Sequence, residues 1–279
     1  MKAEQVTPPV AYHGEGPVWS ELWGGLRWVD MLAGDVLSLR SDGSVDRTHV
    51  GTVAGAIRPR SRGGAVIGVE RGFALEGSDG ELTVLPELWA DPGVRMNEGG
   101  CDPDGRFYCG SMAYDKTIGA GSLYRLDPDG STRVVLESVT ISNGLDWSPD
   151  GSLAYYNDTD TGRTDVFDYE ADAGLTGQRP FAKAPGRPDG LTVDAEGGVW
   201  VALSDGGVVL RYTSEGTLDA TIELPVTKVT ACAFGGPKLE QLFITTSREN
   251  LDDSAEPRAG SLFRAVPGVL GRPAREFAG

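Results

Sequence analysis

The stretch SNGLDWSPDGSLAYYNDT (residues 142–159) joins a tight turn to an apolar strand. The Ser-Pro-Asp-Gly segment suits a turn, because proline presets φ, aspartate accepts local hydrogen bonds and glycine tolerates a positive φ. The apolar run after the turn is typical of a buried strand. Turn formation does not explain Asn143 and Gly144, and an amide at this position needs a separate reason.

The same combination of turn and strand recurs six times along the chain. Its copies read WGGLRWVD (from Trp23), SRGGAVIGVE (Ser61), PDGRFYCGSM (Pro103), PDGSLAYYNDT (Pro149), AEGGVWVALS (Ala195) and GPKLEQLFITTS (Gly236). In the sixth copy, residues 238–240 replace the turn glycine. The other five turn glycines lie 39 to 47 residues apart, the length of a four-stranded propeller blade: Gly25, Gly64, Gly105, Gly151 and Gly198.

A second strand signal, entered by a glycine turn, follows each copy. These segments read GDVLSLR (from Gly34), RGFALE (Arg71), GSLYRLD (Gly121), GRTDVFDYE (Gly162), GGVVLRYT (Gly206) and GSLFRAV (Gly260). Their period-2 alternation indicates half-buried strands, and helical periodicity is absent. The sequence therefore predicts an all-β protein, a single six-bladed β-propeller domain over residues 1–279 with four-stranded blades around a central channel. We expect the C-terminal REFAG (residues 275–279) to add an outer strand beside the N-terminus, because closure removes exposed edges.

Composition disfavours several function classes. The formal net charge is −16 at pH 7 with no basic run, which argues against nucleic-acid and anionic-membrane partners. The first ten residues lack the apolar segment of a signal peptide, and no stretch has the apolar length of a membrane span.

Cys101, Cys109 and Cys232 cannot form a closed disulfide framework, and we expect buried thiols in a reducing cytoplasm. With only His13 and His49 present, a Ser-His-Asp or Cys-His mechanism is disfavoured.

Polar side chains recur at one phase of the repeat, eight to ten residues before the turn glycine. Residues at one phase of a propeller lie at the same height around the channel, so oxygen-bearing side chains from different blades should converge there. A glycine after Glu15, Asn143 and Asp189 lets the backbone turn sharply and leaves room beside each side chain. The six copies carry Glu15, Ala56, Asn97, Asn143, Asp189 and Thr230 at this phase.

These side chains predict a hard, oxygen-only metal site in the channel. Glu15 and Asp189 supply two carboxylates, and Asn143, with Asn97 as a further candidate, supplies neutral oxygen. This set suits Ca²⁺, Mg²⁺ or Mn²⁺ with waters completing the shell, and it lacks the imidazoles and thiolates usual for structural zinc. The alternative is that each residue only caps the start of a strand, but four in phase favour a metal site.

Longer motifs carry a family resemblance that runs from about residue 10 to the C-terminus. The segments GEGPVW, RMNEGGCDPDGRFYCGSM, SNGLDWSPDG, RPDGLTVDAEGGVWVA and ACAFGG resemble the gluconolactonase, regucalcin (senescence marker protein) and luciferin-regenerating-enzyme family. The resemblance implies a six-bladed propeller with one divalent cation in the channel. We expect Ca²⁺ as that cation, with Zn²⁺, Mg²⁺, Mn²⁺ or Fe²⁺ as alternatives.

The resemblance also implies roles for single residues. Glu15, Asn143 and Asp189 would bind the metal, and Asp189 would also be the catalytic base. Arg95 and Asn97 would contact the substrate, and Asn97 is a candidate metal contact as well.

Some positions depart from the family pattern. Glu98 stands where the family usually has aspartate, and we assign it to the substrate-binding side of the pocket. Animal members carry a substrate-binding glutamate near the position of Thr117, within the segment 113–121 that corresponds to a pocket-covering loop. His13 lies where the family often has an apolar residue, and we expect a structural role for it, with pocket lining as the alternative. We predict Trp19, Trp23, Trp28, Trp147 and Trp200 as blade core and the pair Asp252 and Asp253 as a solvated loop.

Three functions are compatible with these residues. The first is a metal-dependent lactonase that opens sugar lactones of the gluconolactone type, with the cation polarising the carbonyl and Asp189 assisting the attack of water. The second is a hydrolase resembling the propeller phosphotriesterases, which would use the same cation on a phosphorus ester. The third is a non-catalytic calcium-binding propeller, which Arg95 and Asn97 disfavour because a scaffold needs neither. We expect a small-molecule sugar lactone as partner and a monomer or weak oligomer.

Overall fold

The computed structural model describes residues 1–252 and 254–279, and nearly all of its regular structure is β-strand. Asp253, one member of the acidic pair predicted to be solvated, lies outside the described residues. The strands form six four-stranded antiparallel sheets arranged in a ring. The predicted six-bladed β-propeller is confirmed.

Each blade runs from an innermost strand outward. The innermost strands are β2 (Gly14–Ser20), β6 (Ala54–Pro59), β10 (Val94–Cys101), β14 (Ser142–Trp147), β18 (Pro188–Val193) and β22 (Val229–Gly235). The second strands are β3 (Gly25–Asp30), β7 (Ala65–Val69), β11 (Phe107–Ala113), β15 (Leu153–Asp158), β19 (Val199–Leu203) and β23 (Gln241–Thr246). The third strands are β4 (Asp35–Leu39), β8 (Gly72–Glu76), β12 (Gly121–Leu126), β16 (Arg163–Glu170), β20 (Val208–Tyr212) and β24 (Phe263–Ala265). The outer strands are β5 (Val45–His49), β9 (Leu82–Val84), β13 (Thr132–Val139), β17 (Gly174–Lys183), β21 (Leu218–Glu223) and β1 (Glu4–Gln5).

The predicted strand pairs coincide with the second and third strands of every blade. Each turn-and-strand copy contains a second strand, and each following alternating segment contains a third strand. The innermost strands of neighbouring blades contact one another around the ring. These six strands therefore line the central channel, and residues at one phase of the repeat face it together.

Ring closure differs from the prediction. The outer strand of blade six is the N-terminal β1, which pairs with β24 through Glu4–Arg264 and Gln5–Phe263. The prediction that residues 275–279 supply this strand was wrong. The N-terminal strand saturates the exposed edge of blade six, and the C-terminal segment is left to pack elsewhere.

The C-terminal segment instead runs beneath the blades as a belt, residues 270–279. The Ala195 amide donates to the Leu270 carbonyl, and the Arg272 side chain donates to the carbonyls of Trp147 and Ser148. The Phe277 amide donates to the Pro59 carbonyl at 2.8 Å. The belt thereby bonds to blades five, four and two, and it covers one end of the channel.

The hydrophobic core lies between blades rather than within a single sheet. One cluster joins Trp200 and Val209 of blade five to Leu242 and Phe263 of blade six, and similar clusters fill the other five junctions. Of the tryptophans predicted as core, Trp28, Trp147 and Trp200 are fully buried, and Trp19 and Trp23 are half-buried against neighbouring clusters.

In the part of the chain that the structure describes, the helical content is limited to three 3-10 turns, Glu21–Trp23, Met31–Ala33 and Thr159–Thr161. Within the described residues, no helix has the length and apolar character needed to cross a membrane. Cys101, Cys109 and Cys232 are buried free thiols, as predicted.

Candidate functional site

A wide cavity of about 330 Å³ opens at the end of the channel where the innermost strands begin. Five of the six residues predicted at the common phase line it, and only Ala56 is packed away between blades two and three. The residues at this phase of the repeat therefore form most of the cavity floor. The polar residues on that floor are Glu15, Arg95, Asn97, Asn143, Asp189 and Thr230.

A β-bulge re-aims the backbone at this phase in every innermost strand. In β14, Asn143 and Gly144 together oppose one residue of β15, and in β18, Asp189 and Gly190 together oppose one residue of β19. The remaining innermost strands shift register at the same height. A bulge bends the strand and redirects its side chains, so each blade delivers a functional group to the channel at the same depth.

The glycines next to the site residues have two different reasons. Gly16 has φ of +49°, so the backbone turns there in the left-handed region that favours glycine. Gly144 and Gly190 have no such φ, and their constraint is space. A Cβ on Gly144 would lie 2.4 Å from the amide nitrogen of Leu191, and one on Gly190 would lie 2.4 Å from the Cβ of Ala231. The sharp-turn explanation therefore holds only after Glu15; the other two glycines admit the neighbouring blade.

Three buried carboxylates meet at the cavity floor. One oxygen each from Glu15, Glu98 and Asp189 lies within 4.8 Å of the others, and these residues are 2%, 3% and 6% exposed. Burial, followed by the charges of Asp189 and Glu98, raises the pKa of Glu15 well above its usual range. Burial and the Glu98 charge likewise raise the pKa of Asp189, against a hydrogen bond from Ser204. Burial raises the pKa of Glu98 to about 7.

This cluster fits a divalent cation. Among residues 1–252 and 254–279, none of the three carboxylates forms an ion pair with lysine or arginine, and Glu98 Oε2 is buried without a hydrogen-bond partner. The one ion-pair contact, His13 Nε2 to Glu15 Oε1 at 3.7 Å, supplies no charge because burial lowers the pKa of His13 to about 3. Buried carboxylates without ion-pair contacts are costly, and a hard cation with oxygen ligands reduces that cost.

Asn97 and Asn143, which both line the wide cavity, are joined by a side-chain hydrogen bond. Asn97 Nδ2 donates to Asn143 Oδ1 at 3.0 Å and to the Ser142 carbonyl at 2.7 Å. Asn143 Nδ2 donates to Thr159 Oγ1 at 2.6 Å, and that hydroxyl donates to the Pro188 carbonyl. These bonds fix the Asn143 amide so that its oxygen is held on the Asn97 side.

Arg95 is a buried guanidinium with donors to spare. Its NH1 donates to Asn97 Oδ1 at 2.7 Å, to the Met96 carbonyl at 3.0 Å and to Met31 Sδ at 3.1 Å. Within the described residues, Nε is buried without a partner and NH2 makes no hydrogen bond. Its guanidinium carbon lies 5.6 Å from the centroid of the Tyr114 ring. Burial lowers the pKa of Arg95 from its usual value, although the group stays a cation at neutral pH. A polar group on a ligand could occupy the unused donors.

Glu98 faces a different direction from Asn97. It lines a second, smaller cavity of about 70 Å³ further along the innermost strands, where Arg58 and the belt residues Arg272 and Arg275 also lie. The bulge in β10 explains the split, because Asn97 and Glu98 together oppose one residue of β11. Glu98 therefore approaches the carboxylate cluster from below rather than lining the wide cavity.

Several cavity residues were not predicted, or were predicted with another emphasis. His13 lines the wide cavity, with Nδ1 2.7 Å from Ser247 Oγ. Thr159 follows the second strand of its blade, far from the repeat phase that was searched. In the loop 113–121, Lys116 lines the cavity, whereas the Thr117 side chain bonds to Asp115 instead. A search of the loops before the innermost and after the second strands would have found this group.

Comparison with known proteins places this geometry in a family. The sequence profile of the SMP-30/Gluconolactonase/LRE-like region matches residues 13–248, which is most of the chain. The chain belongs to this family. Regucalcin from Xenopus laevis is 34% identical over 296 residues, covering 100% of this chain and 99% of that protein.

Solved structures of the family agree with the fold. A crystal structure of regucalcin from Agrobacterium tumefaciens strain C58, described as a calcium-binding protein, superposes with a TM-score of 0.92 at 30% identity, covering 99% of this chain and 97% of that one. A gluconolactonase from Xanthomonas campestris superposes with a TM-score of 0.77 at 26% identity, covering 93% and 87%. The solved structures similar to this chain thus include one described as a calcium-binding protein and one described as a gluconolactonase.

Proposed function

We propose that this protein is a metal-dependent lactonase that opens sugar lactones of the gluconolactone type. The observation that carries the proposal is the floor of the wide cavity, where unpaired buried carboxylates lie beside a buried arginine with free donors. A calcium-binding scaffold would account for the carboxylates but would have no use for Arg95. The gluconolactonase in the same family supports the choice of substrate.

Glu15, Asn143 and Asp189 would hold the cation, and we add Glu98 to this set in place of the substrate contact predicted from the sequence. We propose Ca²⁺, in line with the calcium-binding regucalcin structure. When bound, such a cation supplies Lewis-acid polarisation of the lactone carbonyl. Glu98 would bind the cation from the side of the second cavity, because one of its carboxylate oxygens lies within 4.8 Å of an oxygen of Glu15 and of Asp189.

Asp189 would manage the proton. In the proposed reaction a water molecule attacks the carbonyl carbon, its proton passes to Asp189, and the ring carbon–oxygen bond breaks to leave an alkoxide. Asp189 then returns the proton to that alkoxide, so the product is the open-chain acid. The burial that raises the pKa of Asp189 strengthens it as a proton acceptor, whereas a bound cation acts in the opposite direction.

Arg95 and the cavity walls would hold the substrate. The NH2 group of Arg95, which makes no hydrogen bond within the described residues, would donate to a sugar hydroxyl or to the carbonyl oxygen, and Tyr114 stacks on the guanidinium to limit its movement. A cavity of about 330 Å³ suits a single small sugar rather than a polymer.

The test is a substrate panel on protein stripped of metal and reloaded with Ca²⁺, Mg²⁺, Mn²⁺, Zn²⁺ or Fe²⁺. We expect hydrolysis of D-gluconolactone, measured by the release of protons as the acid forms. This activity should be lost when the metal is removed and restored by Ca²⁺. A paraoxon-type ester in the same panel checks the phosphotriesterase alternative. Hydrolysis of neither substrate with the metal bound would support the calcium-binding scaffold, and full activity after stripping would remove the metal from the mechanism.

A further inference from the structure

Four basic residues line the wide cavity, although acidic residues outnumber basic ones by 41 to 25 in the chain. Arg95 lies buried at the floor. Lys116, Arg187 and Lys228 line the same cavity from segments that flank the strands, and we call these three residues the cationic rim. A concentration of positive charge at the cavity that holds the carboxylate cluster of so acidic a chain calls for a ligand-based reason.

The rim comes from three different blades. Lys116 follows β11 of blade three, Arg187 directly precedes β18 of blade five, and Lys228 directly precedes β22 of blade six. All three positions are at the end of the blades where the innermost strands begin. Their charges therefore surround the mouth from separate directions instead of forming one patch on its edge.

The rim cations are not consumed by ion pairs. Among the described residues, none of the three pairs with a carboxylate, and the Lys228 ammonium donates to the backbone carbonyl of Glu249. Arginines on the outer parts of the blades do have such partners, for example Arg163 with Asp165 at 2.6 Å and Arg179 with Asp168 at 2.8 Å. The rim therefore keeps charge available for a ligand.

These charges act on the interior of the cavity. Lys116, Arg187 and Lys228 line the same cavity of about 330 Å³ as Arg95 and Asp189. The rim is thus close enough to the reacting end of the cavity for one small molecule to contact both.

Lys116 is also presented by an ordered turn. Its φ of 61° lies in the left-handed region, which costs a non-glycine residue free energy. The Lys116 amide donates to the Ala113 carbonyl at 3.0 Å, and the Asp115 carboxylate accepts from the amide and hydroxyl of Thr117. The turn holds the backbone so that the lysine lines the cavity while Thr117 does not.

Acidic residues at the mouth do not cancel the rim. Asp205 and Glu249 line the cavity as well, and Asp205 accepts a hydrogen bond from the Arg187 amide at 2.8 Å. A divalent cation on Glu15, Glu98 and Asp189 leaves one negative charge at the cluster. That charge and the two carboxylates at the mouth stand against four basic side chains. The occupied cavity is then positive overall, within a chain whose formal charge is −16.

We infer that the substrate is an anionic lactone, one that carries a carboxylate or phosphate group remote from its reacting carbonyl and places it against Lys116, Arg187 and Lys228. This inference rests on the proposed lactonase function and names its substrate class. The cation and Arg95 bind the reacting end, and the rim binds the charged end. A neutral sugar lactone fills the same cavity but leaves the rim without a partner.

The experiment compares three substrates: neutral D-gluconolactone, D-glucarolactone with its free carboxylate, and gluconolactone with a terminal phosphate. We expect kcat/KM for one of the anionic lactones to exceed that for D-gluconolactone by about tenfold or more, a ratio within the range of electrostatic steering. The ratio should fall as the salt concentration rises, because screening weakens the rim. Which anion wins distinguishes a carboxylate from a phosphate substrate.

The variant is the triple substitution Lys116→Met, Arg187→Met and Lys228→Met, which keeps an unbranched apolar side chain and removes the charge. We expect the anionic-to-neutral ratio to fall about tenfold, whereas Lys238→Met, an exposed lysine in the blade-six hairpin outside the cavity, should leave it unchanged. Unchanged ratios in the triple variant, or a preference of the wild type for the neutral lactone, would overturn the inference while leaving the lactonase intact.

A binding measurement separates this inference from the proposed function. Calorimetric titration with D-glucarate, the open-chain dianion, should give an affinity at least tenfold weaker for the triple variant than for the wild type. If no lactone is hydrolysed and glucarate still binds through the rim, the lactonase proposal fails and the anion site stands. If glucarate binds both proteins equally or neither, the anion site is refuted.

Discussion

Asn97 Nδ2 donates a 3.0 Å hydrogen bond to Asn143 Oδ1, and the same nitrogen donates to the Ser142 carbonyl of blade four. The Asn97 oxygen is already bonded to Arg95 NH1 at 2.7 Å. One side-chain amide thus couples the guanidinium assigned to the substrate to the amide assigned to the cation. Because Asn97 turns its NH₂ group toward Asn143, we propose that it orients the ligand Asn143 and is not itself a ligand.

Removing this link should weaken metal binding without removing a ligand. Asn97→Ala leaves Asn143 Oδ1 without its donor, and we expect Ca²⁺ affinity to fall about 10–100-fold, as for other residues that orient metal ligands. Titration calorimetry on the metal-free protein measures the change. Asn97→Asp is the sharper variant: it places a second acceptor opposite Asn143 Oδ1 and should also bind Ca²⁺ more weakly than the wild type. Tighter binding by Asn97→Asp would identify the Asn97 oxygen as a ligand.

Asp189→Asn separates the chemical step from metal binding. The amide keeps an oxygen of similar size but cannot accept a proton from water at neutral pH, and losing a positioned base costs about 10²–10⁴ in rate. At saturating metal we expect kcat to fall by at least two orders of magnitude, measured on D-gluconolactone. Asn143→Asp, which adds charge and removes no base, is the matched control and should retain much more activity. Near-normal turnover in metal-loaded Asp189→Asn would reduce Asp189 to a ligand.

Arg95→Ala tests substrate binding at the cavity floor. If the free donors of Arg95 hold the substrate, kcat/KM should fall about tenfold or more while the metal content stays normal. Arg95→Lys keeps the charge but loses the planar fork, and we expect it to recover only part of the loss. Elemental analysis and circular dichroism accompany the kinetics. A variant that loses its metal or its fold would show that Arg95 braces blade three instead.

The carboxylate cluster predicts an unusual pH dependence for the metal-free protein. Burial raises the pKa of Glu98 to about 7 from a reference value of 4.5, so between these pH values the folded state binds more protons than the unfolded state. The contribution of Glu98 to the free energy of unfolding is therefore complete below pH 4.5, the reference pKa, and is lost as the pH rises through 7. In EDTA, the free energy of unfolding should fall from pH 5 to pH 8.

Glu98→Gln assigns that slope to one residue. Each pKa unit corresponds to about 1.4 kcal/mol, so the metal-free variant should exceed the wild type by about 1–3 kcal/mol at pH 8 and lose the advantage near pH 5. Denaturant unfolding in EDTA measures both proteins, and Glu137→Gln, at an exposed carboxylate of β13, is the control. A difference that grows toward low pH would contradict the assignment.

The C-terminal belt should contribute strongly to stability through Phe277. This ring is 1% exposed in the cluster between blades two and three, and its backbone bonds to Pro59 and Ser61. Phe277→Ala should cost about 3–5 kcal/mol in denaturant unfolding. Leu270→Ala, at a 53% exposed residue of the same segment, should cost far less. Equal effects of the two substitutions would mean that the belt is not anchored at Phe277.

The sequence by itself determined the repeating architecture and most of the cavity floor. Turn chemistry and strand alternation are local signals, so the repeated pair of strand signals located the second and third strands of all six blades. In a propeller, residues at the same position of each repeat lie at the same height around the channel. The sequence alone could therefore group five residues that line the cavity, Glu15, Asn97, Asn143, Asp189 and Thr230. Their roles as ligands, base and substrate contacts stay predictions.

Only the tertiary structure decided the features that depend on contacts between distant segments. It gave the edge of blade six to β1 rather than to residues 275–279, because either end could satisfy that edge and only packing selects one. The bulge in β10 directs Glu98 toward the second cavity, and no residue pattern in the sequence predicts that bulge. Gly144 is needed because a Cβ at this position would lie 2.4 Å from the amide nitrogen of Leu191 in the next blade. That distance is set by the packing of blades in the closed ring and not by the local chain.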